Sequence, residues 1–182
     1  MTEAAGVRLF TALWPSSAVR TGLAAVRDAW RWPPGAKPVP DEKLHATLHF
    51  IGRFPRERLE ALGAALDAVE AAPLRLRLAA SEVWRGGIAV ATLAESPALL
   101  ALHGSIGAAL ASLEVALEDR PYRPHVTMAR QGRGATPPAT LPALDWRPGG
   151  FALVASRGGG YHVLETWGAA GRGGPGATAG FT

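Results

Sequence analysis

Cysteine is absent from the 182 residues of this sequence. Its absence excludes a disulfide framework, a thiolate nucleophile and a cysteine-ligated zinc or iron–sulfur centre. No stretch approaches the ~18 consecutive apolar residues of a membrane span, and the opening MTEAAGVRLF lacks the basic-then-apolar order of a secretory signal. We therefore expect a soluble, cytoplasmic protein without a membrane partner. Its chemistry must come from His, Asp, Glu, Ser, Thr, Arg or Lys.

Lysine is scarce, since only Lys37 and Lys43 are lysines among the 19 basic residues and arginine supplies the others. With 15 acidic residues, the formal net charge is +4 at pH 7. A GC-rich codon bias explains the arginine total, whereas particular arginines suit an anionic or phosphorylated ligand, because the planar guanidinium matches phosphate oxygens. The apolar fraction of 48% is enough for a substantial core in one domain or two fused lobes.

Glycine and proline divide the sequence into short periodic segments, a pattern typical of α+β or α/β proteins. Residues 1–168 are predicted to form one bilobal domain. Residues 169–182 are rich in glycine and alanine, lack a packing face and are predicted to be a disordered tail. Alternation predicts strands, and 3- or 4-residue apolar steps predict helices; the predicted strands are 8–13, 44–52, 74–83, 87–93, 124–130, 151–156 and 161–167, and the predicted helices are 19–30, 59–69 and 97–117.

Two His-x-Thr tripeptides, His45-Ala-Thr47 and His125-Val-Thr127, lie on predicted strands in the two halves of the chain. Positions i and i+2 of a strand point to the same side, so each tripeptide places an imidazole beside a hydroxyl. If the strands face each other, the groups suit the opening of a cyclic phosphodiester: one protonated His, one neutral His and two hydroxyl donors. Either histidine alone is more simply explained as a surface or satisfied core residue.

The segments LHATLHFIG and PHVTMAR, with RLFTALWP and FALVASRGGGYHVLETW, resemble the two-histidine (2H) phosphoesterases. In particular they resemble the RNA 2′,3′-cyclic phosphodiesterase family, historically called 2′-5′ RNA ligases, and the resemblance covers residues 8–167. It implies a bilobal α+β fold with two antiparallel sheets flanking a central cleft and helices on the outside. It also implies hydrolysis of RNA 2′,3′-cyclic phosphate ends to 2′-phosphomonoesters without metal or cofactor, with weak reverse 2′-5′ ligation.

The resemblance also assigns roles to the motif residues. His45 would protonate the leaving 3′-oxygen while His125 activates an in-line water, and Thr47 and Thr127 would hold the phosphate. A basic residue often closes the second motif in this family, here Arg130. Strict alternation places Arg130 on the face opposite the rest of its motif, so it reaches the phosphate only if the strand twists, bulges or ends there.

Three further residues are candidates for substrate contacts. By alternation His49 points with the first motif, where we favour a solvated place at the cleft rim over a substrate contact. Tyr122 and Arg123 precede the second motif and could stack a base or hold a backbone phosphate, although packing is the simpler role for Tyr122. His103 is expected at the boundary of the third helix. The two His of HATLH lie ~13 Å apart on a strand, too far to share one zinc.

The expected partner is RNA with a 2′,3′-cyclic phosphate terminus, such as a tRNA fragment, or a small cyclic phosphate. The protein is expected to be a monomer without an obligate protein partner. Three alternatives stay open: a phosphodiesterase for a small cyclic nucleotide or an ADP-ribose cyclic phosphate, an RNA-end-binding module without useful turnover, and a His-based metalloprotein. No phosphate-cradling G-x-x-x-x-G-K-S/T loop occurs, and no G-x-G-x-x-G stands between a predicted strand and a predicted helix, which disfavours nucleoside triphosphate and dinucleotide sites.

Overall fold

The computed structural model describes residues 6–175, which form nine β-strands and three α-helices. No helix in this range is long and apolar enough to span a membrane. In chain order the elements are β1 (Val7–Leu13), α1 (Ser17–Asp28), β2 (Lys37–Pro38), β3 (Ala46–Phe54), α2 (Leu59–Asp67), β4 (Leu78–Trp84), β5 (Ile88–Leu93), α3 (Pro97–Ala111), β6 (His125–Arg130), β7 (Gly150–Arg157), β8 (Gly160–Gly168) and β9 (Gly171–Gly173), with 3₁₀ helices at Asp41–Lys43 and Arg56–Arg58.

Serine residues cap the N-termini of α1 and α3. The Ser16 hydroxyl accepts a hydrogen bond from the Val19 N–H at 3.3 Å, and Ser96 accepts one from Leu99 at 3.1 Å. Each bond satisfies a backbone donor that the first helical turn leaves without a partner. Pro97 then occupies the first turn of α3, where its missing N–H costs nothing.

Helix α3 ends earlier than the sequence predicts. Its apolar spacing continues to Leu117, but the helix stops at Ala111. Glu114 has a φ of +60°, a left-handed conformation that cannot continue a right-handed helix. The Val115 N–H then returns to the Leu110 carbonyl at 3.2 Å. Leu117 still packs against the core from the following loop, which is why the apolar spacing extends beyond the helix.

All strand pairs are antiparallel, in the order β4-β5-β6-β3-β1-β7-β8-β9, with the short β2 paired to β6. Within residues 6–175, the two halves of the sheet meet at a single register pair, Ala46 with Val126. The predicted α+β class is confirmed. The two sheets expected beside the cleft are the halves of one hydrogen-bonded sheet, joined where the two motif strands touch.

Apolar residues form two clusters on the sheet. The larger cluster packs all three helices against one face and includes Leu23, Leu62 and Ile106, all fully buried. The smaller cluster lies on the opposite face of the sheet, on β1 and β7. It consists of Phe10, Ala12, Ala152 and Val154, and Trp14, Tyr161 and Val163 pack against it. A functional site on this second face therefore rests on an apolar, aromatic floor.

The predicted disordered tail is wrong at its beginning. Gly171 has a φ of +90°, which lets the chain turn tightly after β8 and add β9 to the sheet. Arg172 holds the turn through ion pairs with Glu165 at 2.7 Å and Asp67 at 3.0 Å. Residues 176–182 of the predicted tail lie outside the described residues.

Candidate active site

One cavity of about 520 Å³ brings the two motifs together. It is lined by His45 and Thr47 of the first motif and its strand β3, and by His125, Thr127 and Arg130 of β6. The facing arrangement expected from the paired tripeptides is therefore present, although the residues are 80 positions apart in the chain.

A β-bulge follows each motif. On β3, Thr47 and His49 pair with consecutive residues of β1, which leaves Leu48 without a partner. On β6, Thr127 and Ala129 pair with consecutive residues of β5, which leaves Met128 without one. An extra residue reverses the alternation beyond it.

The bulges decide which side chains reach the cavity. The fifth residue after each motif histidine lines it: Phe50 in the first half and Arg130 in the second. Arg130 thus reaches the cavity through a bulge, one of the conditions that its position in the sequence required. Phe50 would pack in the core by strict alternation, yet its side chain is 52% exposed.

Both motif histidines are oriented by a backbone carbonyl two residues earlier. His45 Nδ1 lies 2.6 Å from the Lys43 oxygen, and His125 Nδ1 lies 2.6 Å from the Arg123 oxygen. A carbonyl only accepts hydrogen bonds, so Nδ1 carries the hydrogen and Nε2 of the neutral ring is the basic nitrogen. His45 Nε2 lies 3.0 Å from the Thr47 hydroxyl, which donates to it. Each Nε2 is therefore the atom available for proton transfer.

Aromatic rings enclose His45. Trp14 stacks on it at 5.5 Å between centroids and 23° between planes, with Phe10 at 4.9 Å and the edge of Tyr161 at 5.3 Å. Burial among these rings is the main reason that the pKa of His45 is lowered to about 4; the Nδ1 hydrogen bond opposes this effect, and nearby cations add to it. The free protein therefore holds this imidazole neutral.

A different group supports His125. The Trp84 ring lies 4.5 Å from the imidazole, and the Arg123 guanidinium lies 4.4 Å from the centroid of the Trp84 ring. Glu82 accepts hydrogen bonds from both Trp84 Nε1 at 2.6 Å and Arg123 at 3.0 Å. Burial lowers the pKa of His125 below its ordinary value. Arg123 is thus committed to Glu82 and Trp84 and does not line the cavity.

His49 and Tyr122 lie behind the site rather than in it. The bulge turns His49 away from the cavity, so its predicted place at the cleft rim is wrong. His49 Nε2 donates to the His103 carbonyl at 2.8 Å, and the two rings stack at 3.9 Å. Tyr122 stacks on the other side of His103, also at 3.9 Å, and its hydroxyl donates to the Thr47 carbonyl at 3.2 Å. The three stacked rings therefore support the first motif strand from its back.

Several lining residues were not identified from the sequence as site residues. Both lysines of the chain line the cavity, as does Arg8, and among residues 6–175 no carboxylate lines it. The sequence did carry a signal that the lysines belong to the site, because lysine is rare in the chain and both copies lie close to the first motif. A cavity with cations and without acids favours an anionic ligand. Within residues 6–175, no group of three or more His, Cys, Asp or Glu is placed to hold a metal ion.

Comparisons with known proteins agree with this site. The family model of the 2′-5′ RNA ligase superfamily matches residues 15–158. An RNA 2′,3′-cyclic phosphodiesterase of Thermus thermophilus is 36% identical, and the match covers 87% of this chain and 88% of that protein. A solved structure of a Thermus thermophilus protein is 33% identical with a TM-score of 0.72, covering 90% of this chain and 98% of that one.

A further solved structure, that of E. coli LigT complexed with 3′-AMP, is 25% identical with a TM-score of 0.74, covering 90% of this chain and 98% of that one. The family model spans most of the chain, and a relative above 30% identity matches over nearly its full length. On this evidence, and as the paired motifs indicated, the chain belongs to the 2′-5′ RNA ligase superfamily.

Proposed function

We propose that this protein hydrolyses the 2′,3′-cyclic phosphate end of RNA to a 2′-phosphomonoester without a metal ion. The observation that carries the proposal is the convergence of two histidine–threonine pairs on one cavity that, in the described part of the chain, is lined by cations and by no carboxylate. A relative named RNA 2′,3′-cyclic phosphodiesterase, 36% identical over most of the chain, supports the substrate assignment.

The proposed reaction uses the two Nε2 atoms as acid and base. His125 takes a proton from a water whose oxygen attacks phosphorus in line with the 3′-oxygen. The bond between phosphorus and the 3′-oxygen breaks, and His45 gives its proton to that oxygen. The product carries a 2′-phosphate and a 3′-hydroxyl, and solvent exchange restores both imidazoles. The same sequence, with a ribose 5′-hydroxyl in place of water as the attacking group, forms a 2′-5′ phosphodiester and frees the 3′-hydroxyl, which gives weak 2′-5′ ligation.

Three side chains hold the phosphate in this scheme. Thr47 and Thr127 donate to its non-bridging oxygens, and Arg130 neutralises charge that develops on them. When substrate binds, the Thr47 hydroxyl exchanges its bond to His45 for one to the phosphate.

Phosphate binding also favours the protonated form of His45, the acid of this scheme. The pKa of His45 is about 4 in the free protein, so its ring is neutral near pH 7. An anion against the ring favours the imidazolium and raises that pKa. The acid is therefore charged mainly when the phosphate that it must protonate is present.

A half-exposed aromatic ring in the cavity provides a stacking surface for a nucleobase of the substrate. Phe50 lines the cavity beside the first motif with 52% of its surface exposed. Unpaired RNA bases stack on such rings without a sequence requirement. We therefore assign Phe50 to stacking on the terminal nucleobase. Strict alternation alone would have placed this side chain in the core.

The deciding experiment is hydrolysis of a short oligoribonucleotide ending in a 2′,3′-cyclic phosphate, in the presence of EDTA, with 2′- and 3′-phosphate products resolved. Wild type should release the 2′-phosphate. His125→Ala should not, whereas His162→Ala, the same change at an exposed histidine outside the cavity, should behave as wild type.

Each alternative has its own outcome in this assay. Binding of the oligonucleotide without turnover would overturn the enzymatic proposal in favour of an RNA-end-binding module. Activity abolished by EDTA and restored by a metal would overturn the metal-free reaction. Turnover of adenosine 2′,3′-cyclic phosphate but not of the oligonucleotide would move the substrate to small cyclic phosphates.

A further inference from the structure

The cavity extends well beyond the two motifs. Its far end is lined by Arg8, Gly52 and Ser156. Along β1, Arg8 is four residues from Ala12, which pairs with Thr47 of the first motif. Four strand residues span ~13 Å. Arg8 therefore faces a part of the ligand other than the phosphate at the histidines.

The groups at the far end suit an anion. Arg8 and Ser156 are directly paired across β1 and β7, so their side chains are neighbours on one face. Within residues 6–175, Arg8 forms no ion pair with a carboxylate, whereas Arg27, Arg123 and Arg172 each do. A guanidinium and a hydroxyl side by side are the donors that phosphate oxygens accept from.

Gly52 leaves space for a ligand at this end. It has a φ of +76°, and a Cβ at this position would meet nothing within 4 Å. The glycine therefore satisfies a backbone conformation at the bulged end of β3 and also leaves the cavity open beside Arg8. A ligand can approach the backbone here without displacing a side chain.

The features of the cavity follow one another along the strands. Phe10 pairs with Phe50, two residues from Arg8 and two from Ala12. The order is thus an anion site, an aromatic surface and the catalytic residues. A nucleotide has the same order: a phosphate on the 5′ side, a nucleoside, and the 2′,3′-cyclic phosphate.

We propose that Arg8 and Ser156 bind the phosphate on the 5′ side of the terminal ribose, so that the enzyme recognises a second phosphate as well as the one it opens. This inference rests on the proposed function and adds a subsite to it. The same chemistry serves a 5′-phosphate monoester and an internucleotide diester. Substrates lacking this phosphate bind without the subsite.

The test compares three substrates: adenosine 2′,3′-cyclic phosphate, its 5′-phosphorylated form, and the dinucleotide ApA ending in a 2′,3′-cyclic phosphate. For wild type, kcat/KM should be at least ~10-fold higher with a 5′-side phosphate, mainly through KM, as for a charge-assisted contact. A gain with the 5′-phosphorylated mononucleotide identifies the monoester as a ligand, and a gain with ApA identifies the diester.

Arg8→Gln should reduce the ratio of kcat/KM values, with over without the 5′-side phosphate, towards 1. Ser156→Ala should reduce it less, and Arg8→Lys should restore part of it. Arg56→Gln is the matched control, because Arg56 is exposed and outside the cavity, and its ratio should equal that of wild type. The slope of log kcat/KM against log salt for ApA should also become shallower by about 0.7 in Arg8→Gln.

Two results would overturn the subsite and are separable from failure of the proposed function. Equal kcat/KM for all three substrates in wild type would remove the second phosphate from recognition. A loss in Arg8→Gln that is the same for every substrate would assign Arg8 to the fold or to the scissile phosphate instead. If wild type hydrolysed none of the three, the proposed function itself would be wrong.

Discussion

At the residue scale, the two motif histidines share an orientation and differ in their surroundings. Both have Nδ1 bonded to the carbonyl two residues earlier at 2.6 Å, which leaves Nε2 for chemistry. His45 is enclosed by aromatic rings. His125 instead contacts the Trp84 ring, next to which Arg123 and Glu82 form a salt bridge. Equivalent positions in the two motifs therefore hold imidazoles that the rest of the protein can tune separately.

Removal of either histidine tests the assigned acid and base. His45→Ala and His125→Ala should each lower kcat by ~100-fold or more, the usual contribution of a general acid or base, and Thr47→Ala or Thr127→Ala should cost less. The double histidine variant should be little worse than either single one, because the two act as a unit. Single-turnover kinetics on a cyclic-phosphate oligonucleotide measures this. Losses that multiply in the double variant would contradict a concerted pair.

The lowered pKa values set the expected pH dependence. kcat/KM reports ionisations of the free enzyme, in which burial holds both histidine pKa values below 6.5, to about 4 for His45. Activity falls at higher pH as the acid loses its proton and at lower pH as the base gains one. We therefore expect a bell-shaped kcat/KM profile with its maximum below pH 6.5. A profile that rises steadily from pH 5 to 9 would contradict the mechanism.

The kcat profile should differ from that of kcat/KM. In the substrate complex, the phosphate anion favours the charged imidazole and raises its pKa. The alkaline limb of kcat should consequently lie at higher pH than that of kcat/KM. Coincident limbs would show that the bound phosphate does not stabilise the imidazolium.

At the element scale, the bulges and the ring stack together shape the first motif strand. The bulge at Leu48 turns Phe50 into the cavity and His49 onto α3. The stack of His49, His103 and Tyr122 then holds the back of the strand through the bond from Tyr122 to Thr47. The ring stack thus stabilises the bulged backbone of β3 from the side opposite the cavity.

This stack makes stability dependent on pH. Burial, with the positive charge of His49 next in importance, lowers the pKa of His103 to about 4. The unfolded chain, with a pKa near 6.5, takes up the proton first as pH falls, so stability present above pH 6.5 is lost progressively towards pH 4. His103→Phe keeps an aromatic ring in the stack and removes the titration. The fall in Tm between pH 7 and 5 should be smaller in this variant than in wild type.

The control for this prediction is His162→Phe, the same change at an exposed position on β8. It should leave the pH dependence of Tm as in wild type. Parallel Tm curves for His103→Phe and wild type would show that this imidazole does not carry the acid sensitivity.

At the scale of the whole molecule, the cavity lies where the two halves of the sheet meet. Across the described strands, only the register pair of Ala46 with Val126 joins the halves, so a phosphate bridging β3 and β6 adds contacts that the free chain lacks. A ligand that binds only the folded state stabilises it by RT ln(1 + [L]/Kd), about 2.7 kcal/mol at 100 times Kd. Ligand binding is therefore expected to stabilise the two halves together.

The product analogue 2′-AMP tests this coupling. It should raise the Tm of wild type in a concentration-dependent manner, and Arg130→Gln should weaken the effect because the guanidinium that faces the phosphate is gone. Adenosine, which lacks the phosphate, is the ligand control and should give a much smaller rise. Equal shifts by 2′-AMP and adenosine, measured by thermal unfolding, would contradict phosphate recognition across the halves.

The fold was largely predictable because its signals are local. Apolar steps of three or four residues placed all three helices, and alternation placed the strands that carry the motifs. The end of α3 was missed because a left-handed Glu114 leaves no apolar signature. Strand β9 was missed because its stability comes from sheet pairing and from Arg172, not from an apolar face of its own.

The site was predictable only where its residues form a motif. His45, Thr47, His125 and Thr127 are recognisable at i and i+2 on strands, and the cavity brings them together. His49 and Phe50 each lie on the face opposite to the one that strict alternation gives, because a single extra residue at Leu48 reverses the alternation. Nothing in a side-chain pattern marks where such a residue lies, since the bulge is defined by the register of β1 against β3.

By itself, the sequence determined the chemical types available, the absence of thiol chemistry, the helices and strands, and two histidine–threonine pairs on strand faces. These are consequences of residue identity and short-range periodicity. Only the tertiary structure decided that Arg130 and Phe50 enter the cavity, that Arg8 lies at its far end, and that Tyr122 braces Thr47 from behind. Those outcomes depend on strand register and on contacts between residues distant in the chain, whose free energy no local pattern expresses.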